Sequence, residues 1–244
     1  MRILGSLLFT LLFFGWTAII SIAGLPCLLL DHRAAYRLGN AWSRVTLFLL
    51  RWLCGVTSEF RGLENLPPGP AILASKHQSA WDTLVLPQLT PQLYPAYVLK
   101  VELTRIPLFG RLLKRAGMIA VDRAAGAKAL KEMLAAAKKR AAEGRSIVIY
   151  PEGTRSAPGS KLPYHPGVAA IYRETGLPIV PIALNSGVFW GRNAWFKKPG
   201  TIVLEVLPPI PPGLERHAVM QRLENDIEAS ATRLLAEAEG DAAP

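Results

Sequence analysis

The segment Lys76–Asp82 (KHQSAWD) holds a histidine and a carboxylate five positions apart, the two groups a proton-transfer site needs. An imidazole titrates near neutrality, and a carboxylate on its second nitrogen fixes the tautomer and stabilises the imidazolium. On a straight helix, residues five apart diverge by about 140°. His77 and Asp82 therefore meet only if the chain turns between them, as it does where a strand passes into a helix. No side-chain nucleophile is evidently paired with them; Ser79 is close in sequence only. The pattern points to a nucleophile brought by the substrate, a hydroxyl whose proton His77 takes. The electrophile must then arrive activated, for example as a thioester. A metal site built on His77, Asp82 and Glu152 is the alternative, but it lacks a third strong ligand at convincing spacing, and His165 and His217 do not supply one.

Further along, PEGTRS (Pro151–Ser156) has the parts of an oxyanion or phosphate cradle. Gly153 lets the backbone approach closely, the Thr154 hydroxyl and nearby amides can donate, and Arg155 offers a planar two-pronged donor. Arg123, after GMIAV, offers a second such fork. A purely structural reading of the same motif has Glu152 pairing with an arginine and Pro151 ending a strand.

Each of these clusters follows a short apolar run. AILAS (Ala71–Ser75) precedes KHQSAWD, GMIAV (Gly117–Val121) precedes Asp122-Arg123, and SIVIY (Ser146–Tyr150) precedes PEGTRS. In open α/β sheets, ligands bind beyond the carboxyl ends of the strands. Further strands are expected at Tyr97–Leu99, Pro178–Leu184 and Thr201–Leu207. Helices are expected at Trp81–Leu89, Leu103–Ala116, Ala124–Glu143 (closed by Gly144) and Glu215–Leu235. SIVIY lacks polar alternation after Ser146, as a strand covered on both faces should. The expected fold is α/β, with a central, mainly parallel sheet flanked by helices over residues 59–244.

Residues 1–58 are different in kind. No charged residue occurs from Ile3 to Leu30, a run longer than the roughly 18 apolar residues that mark a membrane-helix candidate. A secretory signal fits poorly, since its apolar region is shorter and a small-x-small cleavage site is missing. A second apolar stretch, Ala41–Val56, carries Arg44 and Arg51 beside Trp42 and Trp52, residues that favour the water–lipid boundary. Arg33, Arg37, Arg44 and Arg51 follow the uncharged run, so the positive-inside rule places the rest of the chain in the cytoplasm. The expectation is an N-terminal hydrophobic helical membrane element at the inner membrane, with the remaining domain facing the cytoplasm.

The net charge of +10 is localised: between Lys100 and Arg145 twelve basic residues stand against four acidic ones, whereas from Gly213 onward three stand against seven. Beside a membrane anchor, such a band suits anionic headgroups. Nucleic acid is not an expected partner, because no helix-turn-helix, zinc-finger or RNA-binding signature is present. Cys27 and Cys54 lie in apolar runs without a CxxC spacing, and imply neither a disulfide nor a metal site.

Taken in order, HQSAWD (His77–Asp82), GMIAVDR (Gly117–Arg123), YPEGTRS (Tyr150–Ser156) and VPIALN (Val180–Asn185), with KVEL (Lys100–Leu103), resemble the four blocks of the glycerolipid acyltransferase family, typified by bacterial lysophosphatidic acid acyltransferases. The resemblance implies that His77 is the general base and Asp82 its orienter. It implies that Arg123, Glu152, Gly153 and Arg155 bind or position a phosphorylated acceptor, with Lys100 assisting, and the Thr154 hydroxyl of the same cradle joins them as a donor. It also implies an acyl-ACP or acyl-CoA donor, lysophosphatidic acid as acceptor, contact with membrane lipids, and neither cofactor nor metal; the alternatives are another acceptor such as lyso-ornithine lipid, or a non-catalytic membrane-binding protein that uses the basic band. Lys76 stands where many members have Asn, and Tyr150 where Phe is common; Lys76 is expected either near the acceptor or in solvent.

Overall fold

The computed structural model describes residues 2–240, and its first two helices form an antiparallel hairpin. Helix α1 (Arg2–Ala23) is apolar almost all round, and three of its hydroxyls are satisfied within the helix: Thr10, Thr17 and Ser21 donate to the carbonyls four residues back. Helix α2 (His32–Cys54) begins at Asp31, whose side chain accepts from the amides of Arg33 and Ala34. It starts nine residues before the apolar stretch anticipated at Ala41. Trp42 Nε1 donates to Thr17 Oγ1 at 3.0 Å across the hairpin, and Gly5 crosses α2 so closely that a Cβ would lie 2.1 Å from the Leu53 carbonyl oxygen.

One side of α1 rests on the rest of the molecule. Phe9 is buried, with its ring edge-on to Trp190 at 5.3 Å, and it joins Leu50, Cys54, Trp81 and Leu84 in one core cluster. On the other side Leu4, Leu7, Leu11, Phe14, Ile19 and Ile22 are exposed. Among the described residues, α1 is the one helix long and apolar enough to cross a membrane. Cys27 and Cys54 are free thiols.

Seven strands follow: β1 (Val56–Arg61), β2 (Ile72–Ser75), β3 (Ala96–Lys100), β4 (Ile119–Val121), β5 (Ile147–Ile149), β6 (Ile179–Leu184) and β7 (Gly200–Val206). They form one sheet in the order β1-β7-β6-β2-β5-β3-β4. All neighbours are parallel except β6 and β7, which run antiparallel. The central strands are covered on both faces, which explains their unbroken apolar sequences. Leu73, Val148 and Val180 face the α1–α2 side. Ile72, Ala74, Ile147, Ile149 and Ile179 face the opposite cluster, with Met133, Ala137, Ile171, Leu223 and Ile227.

Those last residues come from helices α5 (Gly126–Ala142), α6 (Gly167–Thr175) and α8 (Arg216–Gly240); shorter helices α3 (Trp81–Val85), α4 (Phe109–Arg115) and α7 (Ser186–Phe189) line the site edge. Two expected helices are shorter than anticipated. The segment Leu103–Ala116 is a 3-10 turn (Val101–Arg105) and then α4, because Pro107 cannot continue a helix and Leu108 takes a positive φ of 58°. The helix expected to Leu89 ends at Val85 and passes into a 3-10 turn through Pro87. On α5, Ala129, Met133 and Ala137 are buried, whereas Leu130 is exposed.

Candidate active site

His77 lies in the turn between β2 and α3, and Asp82 sits in the first turn of α3. The turn folds the two side chains together: His77 Nδ1 and Asp82 Oδ2 are 2.9 Å apart. Asp82 is fully buried and its carboxylate is saturated. Oδ2 also accepts from the amides of Gln78 (2.7 Å) and Ser79 (2.9 Å), and Oδ1 accepts from Ser186 Oγ (2.6 Å). A carboxylate held by four donors cannot rotate, so it fixes the imidazole with a proton on Nδ1 and leaves Nε2 free. Among the described residues Nε2 has no hydrogen-bond partner. The imidazole stacks on the Tyr150 ring, with centroids 3.9 Å apart and planes 18° apart. The Tyr150 hydroxyl is buried and has no hydrogen-bond partner among the described residues; burial, then the Asp82 charge, holds its pKa well above the usual phenol range.

The turn is locked from the next strand end as well. Ser156 donates to the His77 carbonyl through its amide (2.8 Å) and its hydroxyl (3.2 Å). Beneath it, Lys76 is buried at the centre of a charged network: its Nζ donates to Glu152 Oε1 (2.8 Å), both carboxylate oxygens of Glu228 (2.8 and 3.0 Å) and the Ser160 carbonyl (3.1 Å). Lys76 thus lies neither near an acceptor nor in solvent; its ammonium points into the protein, where two carboxylates offset the cost of burial. Glu152, buried, turns toward Lys76 and also accepts from Ser156 Oγ at 3.1 Å. It holds the loop and stays out of the cavity.

The cavity, about 460 Å³, opens beside His77. Lys100, Arg123, Gly153, Thr154 and Arg155 line its polar end, and so does Arg192, from the loop after α7, which sequence reasoning missed. Gly153 has a positive φ of 67°, and a Cβ there would meet the His165 ring at 2.9 Å, so glycine alone fits without displacing a neighbour. Among the described residues, none of Lys100, Arg123, Arg155 and Arg192 is in a salt bridge. Four unpaired cations around one opening next to a histidine favour an anionic ligand. Away from them the wall turns apolar: Tyr97, Leu99, Leu103, Phe109, Leu112 and Met118 meet Tyr36, Gly39 and Trp42 of α2. Among the described residues no three His, Cys, Asp or Glu side chains converge as a metal site would require.

A buried carboxylate–imidazole pair facing a basic-mouthed, apolar-walled cavity on an α/β sheet suits acid–base transfer on an amphipathic anion. In accord with this, a model of the Acyltransferase family matches residues 57–185, and the chain belongs to that family. A Pseudomonas aeruginosa protein named 1-acyl-sn-glycerol-3-phosphate acyltransferase is 36% identical over 210 residues, 86% of this chain and 81% of that one. A protein of the same name from Limnanthes alba is 33% identical over 175 residues, 71% of this chain and 62% of its own length. The fold matches the crystal structure of the 1-acyl-sn-glycerophosphate (LPA) acyltransferase PlsC from Thermotoga maritima with a TM-score of 0.76, at 21% identity, covering 96% of this chain and 99% of that one.

Proposed function

We propose that this enzyme transfers a fatty-acyl chain from a thioester, acyl-ACP or acyl-CoA, to the free hydroxyl of 1-acylglycerol 3-phosphate, forming phosphatidic acid. The observation that carries the reading is the free Nε2 of His77 at the mouth of a cavity rimmed by four unpaired cations and continued by an apolar wall. The relatives named for this reaction support the same acceptor.

In this scheme the acceptor phosphate lies among Arg123, Arg155, Arg192 and Lys100, with its hydroxyl toward His77 Nε2. Nε2 takes the hydroxyl proton as the oxygen attacks the thioester carbonyl. Asp82 stabilises the imidazolium through Nδ1. The tetrahedral intermediate collapses as the C–S bond breaks, the new ester remains, and the thiolate leaves with the proton returned by Nε2. No covalent acyl-enzyme is required. The exposed apolar side of α1 and the arginines of α2 support residence at the cytoplasmic face of the inner membrane, where lysolipid and product both lie.

The test supplies purified full-length protein with labelled acyl-ACP or acyl-CoA and a panel of lysolipids, including lyso-ornithine lipid. Lysophosphatidic acid should be the preferred acceptor. His77→Ala should fall to background with the fold retained, and Asp82→Asn should lose about 10⁴-fold in turnover by stabilising the wrong tautomer. Substantial thioester consumption by His77→Ala would end the mechanism; preference for the ornithine lipid would end the acceptor assignment.

A further inference from the structure

The loop between α7 and β7 exposes two large aromatic side chains in succession: Trp195 is 67% and Phe196 54% solvent-accessible. Two aromatics left in water at a loop tip point to a partner that is apolar on one side. The residue that follows them is buried. Lys197 turns back into α1, where its amide donates to Ser6 Oγ (3.0 Å) and its ammonium to Thr10 Oγ1 (3.0 Å). The same ammonium lies over the rings of Phe9 (5.1 Å) and Trp190 (5.4 Å). At its far end the loop is tied to the close of α2: the Gly200 amide donates to the Gly55 carbonyl at 3.0 Å. The tip is therefore held rigidly against both helices of the hairpin, beside the part of α1 whose outer residues Leu4, Leu7 and Leu11 are exposed.

We propose that the loop Trp190–Pro199 is a second bilayer-docking element, which seats Trp195 and Phe196 in the lipid interface beside the α1–α2 hairpin. The proposal rests on the reading of α1 as lipid-facing. Three features favour a bilayer over a protein as the occupant. The tip continues an apolar surface that carries no charge from Ile3 to Leu30. Its aromatics are flanked by cations, Arg192 and Lys198, the arrangement that suits the boundary between acyl chains and anionic headgroups. The tip is also pinned to the helices that would enter the lipid, so both reach the same surface together. Arg192, in the same loop, lines the cavity and lies 3.5 Å from the Arg155 carbonyl. Docking of the tip would hold the cavity mouth at headgroup depth, where a lysolipid phosphate resides.

The experiment uses the full chain with vesicles of phosphatidylglycerol and brominated phosphatidylcholine, whose bromines quench tryptophans in the interface. Wild type and Trp195→Phe are compared, with pelleting of the double variant Trp195→Ser/Phe196→Ser reporting on α1 independently of the tip. Wild type should lose clearly more fluorescence than Trp195→Phe. The double variant Trp195→Ser/Phe196→Ser should acylate vesicle-embedded acceptor about tenfold less efficiently, the scale of burying one large apolar side chain. Its turnover of a short-chain acceptor dissolved as monomers should be unchanged. Equal quenching of wild type and Trp195→Phe overturns the proposal. So does a double variant whose only defect is a raised KM for acyl-ACP, which would make the tip a protein-docking site. A wild type that pellets and quenches but acylates no lysolipid would sink the proposed reaction and leave the docking surface intact.

Discussion

The orientation of the His77 imidazole depends on groups scattered along 110 residues of chain: Asp82 through Nδ1, Tyr150 beneath the ring, Ser156 on the backbone carbonyl, and Ser186 behind the carboxylate. The histidine and aspartate were legible in the sequence, because their types suit proton transfer and they follow an apolar run whose end, a strand-to-helix turn, can bring them together. Ser186 was not, since nothing local marks a serine after β6 as the fourth donor to a carboxylate 104 residues away. Arg192 was missed for the same reason, although a guanidinium in a Trp-Gly-Arg-Asn turn could have been noted as a third fork. The arginines make a sharp prediction. A guanidinium binds phosphate through two parallel hydrogen bonds, whereas lysine offers a point charge. Lysine in place of Arg123, Arg155 or Arg192 should each lower kcat/KM for lysophosphatidic acid by about 1.5–3 kcal/mol, the scale of one charged hydrogen bond. Lyso-ornithine lipid, which has no phosphate, should suffer less. Steady-state kinetics on both acceptors would decide it, and indifference of the phosphate lipid to all three substitutions would remove the arginines from the binding site.

At the scale of elements, the Lys76 network shows what a motif read alone conceals. PEGTRS was legible as a cradle, yet Glu152 serves it from below, by joining the ends of β2 and β5 to α8 through Lys76 and Glu228. The sequence offered Lys76 a place near the acceptor or in solvent, and burial was not foreseeable, because lysines are seldom fully buried and the two glutamates that make it tolerable lie 76 and 152 positions away. Lys76→Met should destabilise the protein by about 3–5 kcal/mol, since it leaves carboxylates buried without their cation. Lys76→Met combined with Glu152→Gln and Glu228→Gln should recover part of that loss. Denaturant unfolding would measure both, and a fully stable Lys76→Met would mean that the network contributes nothing. Strands with continuous apolar runs were found from sequence to within about a residue or two. Helix α6 was overlooked, although Val168, Ile171 and Tyr172 already carry its period. The break at Pro107 was equally visible and was outweighed by the apolar residues around it.

Across the whole molecule, the hairpin proves to be part of the enzyme's body as well as its apolar surface. Phe9, Leu50 and Cys54 share a core with the sheet, and α2 supplies one wall of the cavity. The sequence showed an uncharged helix and an arginine-studded one; it could not show that they pack on the domain, because those contacts join residues such as Lys197 and Ser6, 191 positions apart. The apolar end of the cavity was hidden for the same reason, being assembled from α2, β3 and α4.

The sheet order has a consequence for how the chain is made. The first strand, β1, has the last, β7, as its sheet neighbour, in register from Val56 with Gly200 to Arg61 with Glu205. During synthesis β1 leaves the ribosome long before its partner exists, and contacts this distant in sequence form late. For most of translation the chain therefore carries an unpaired strand and a hairpin whose inner face is covered only in part, by residues such as Leu73, Trp81 and Leu84. An intermediate held at a membrane by α1 would be kept apart from its copies; released into solution, it would expose an edge open to aggregation. Nascent chains ending before Gly200 should accordingly be protease-sensitive even when membrane-bound, with protection of β1 and α1 appearing together only once about residue 206 has emerged. Stepwise-truncated ribosome-bound chains under limited proteolysis would show the order, and early protection of β1 would mean that the sheet closes by some other route.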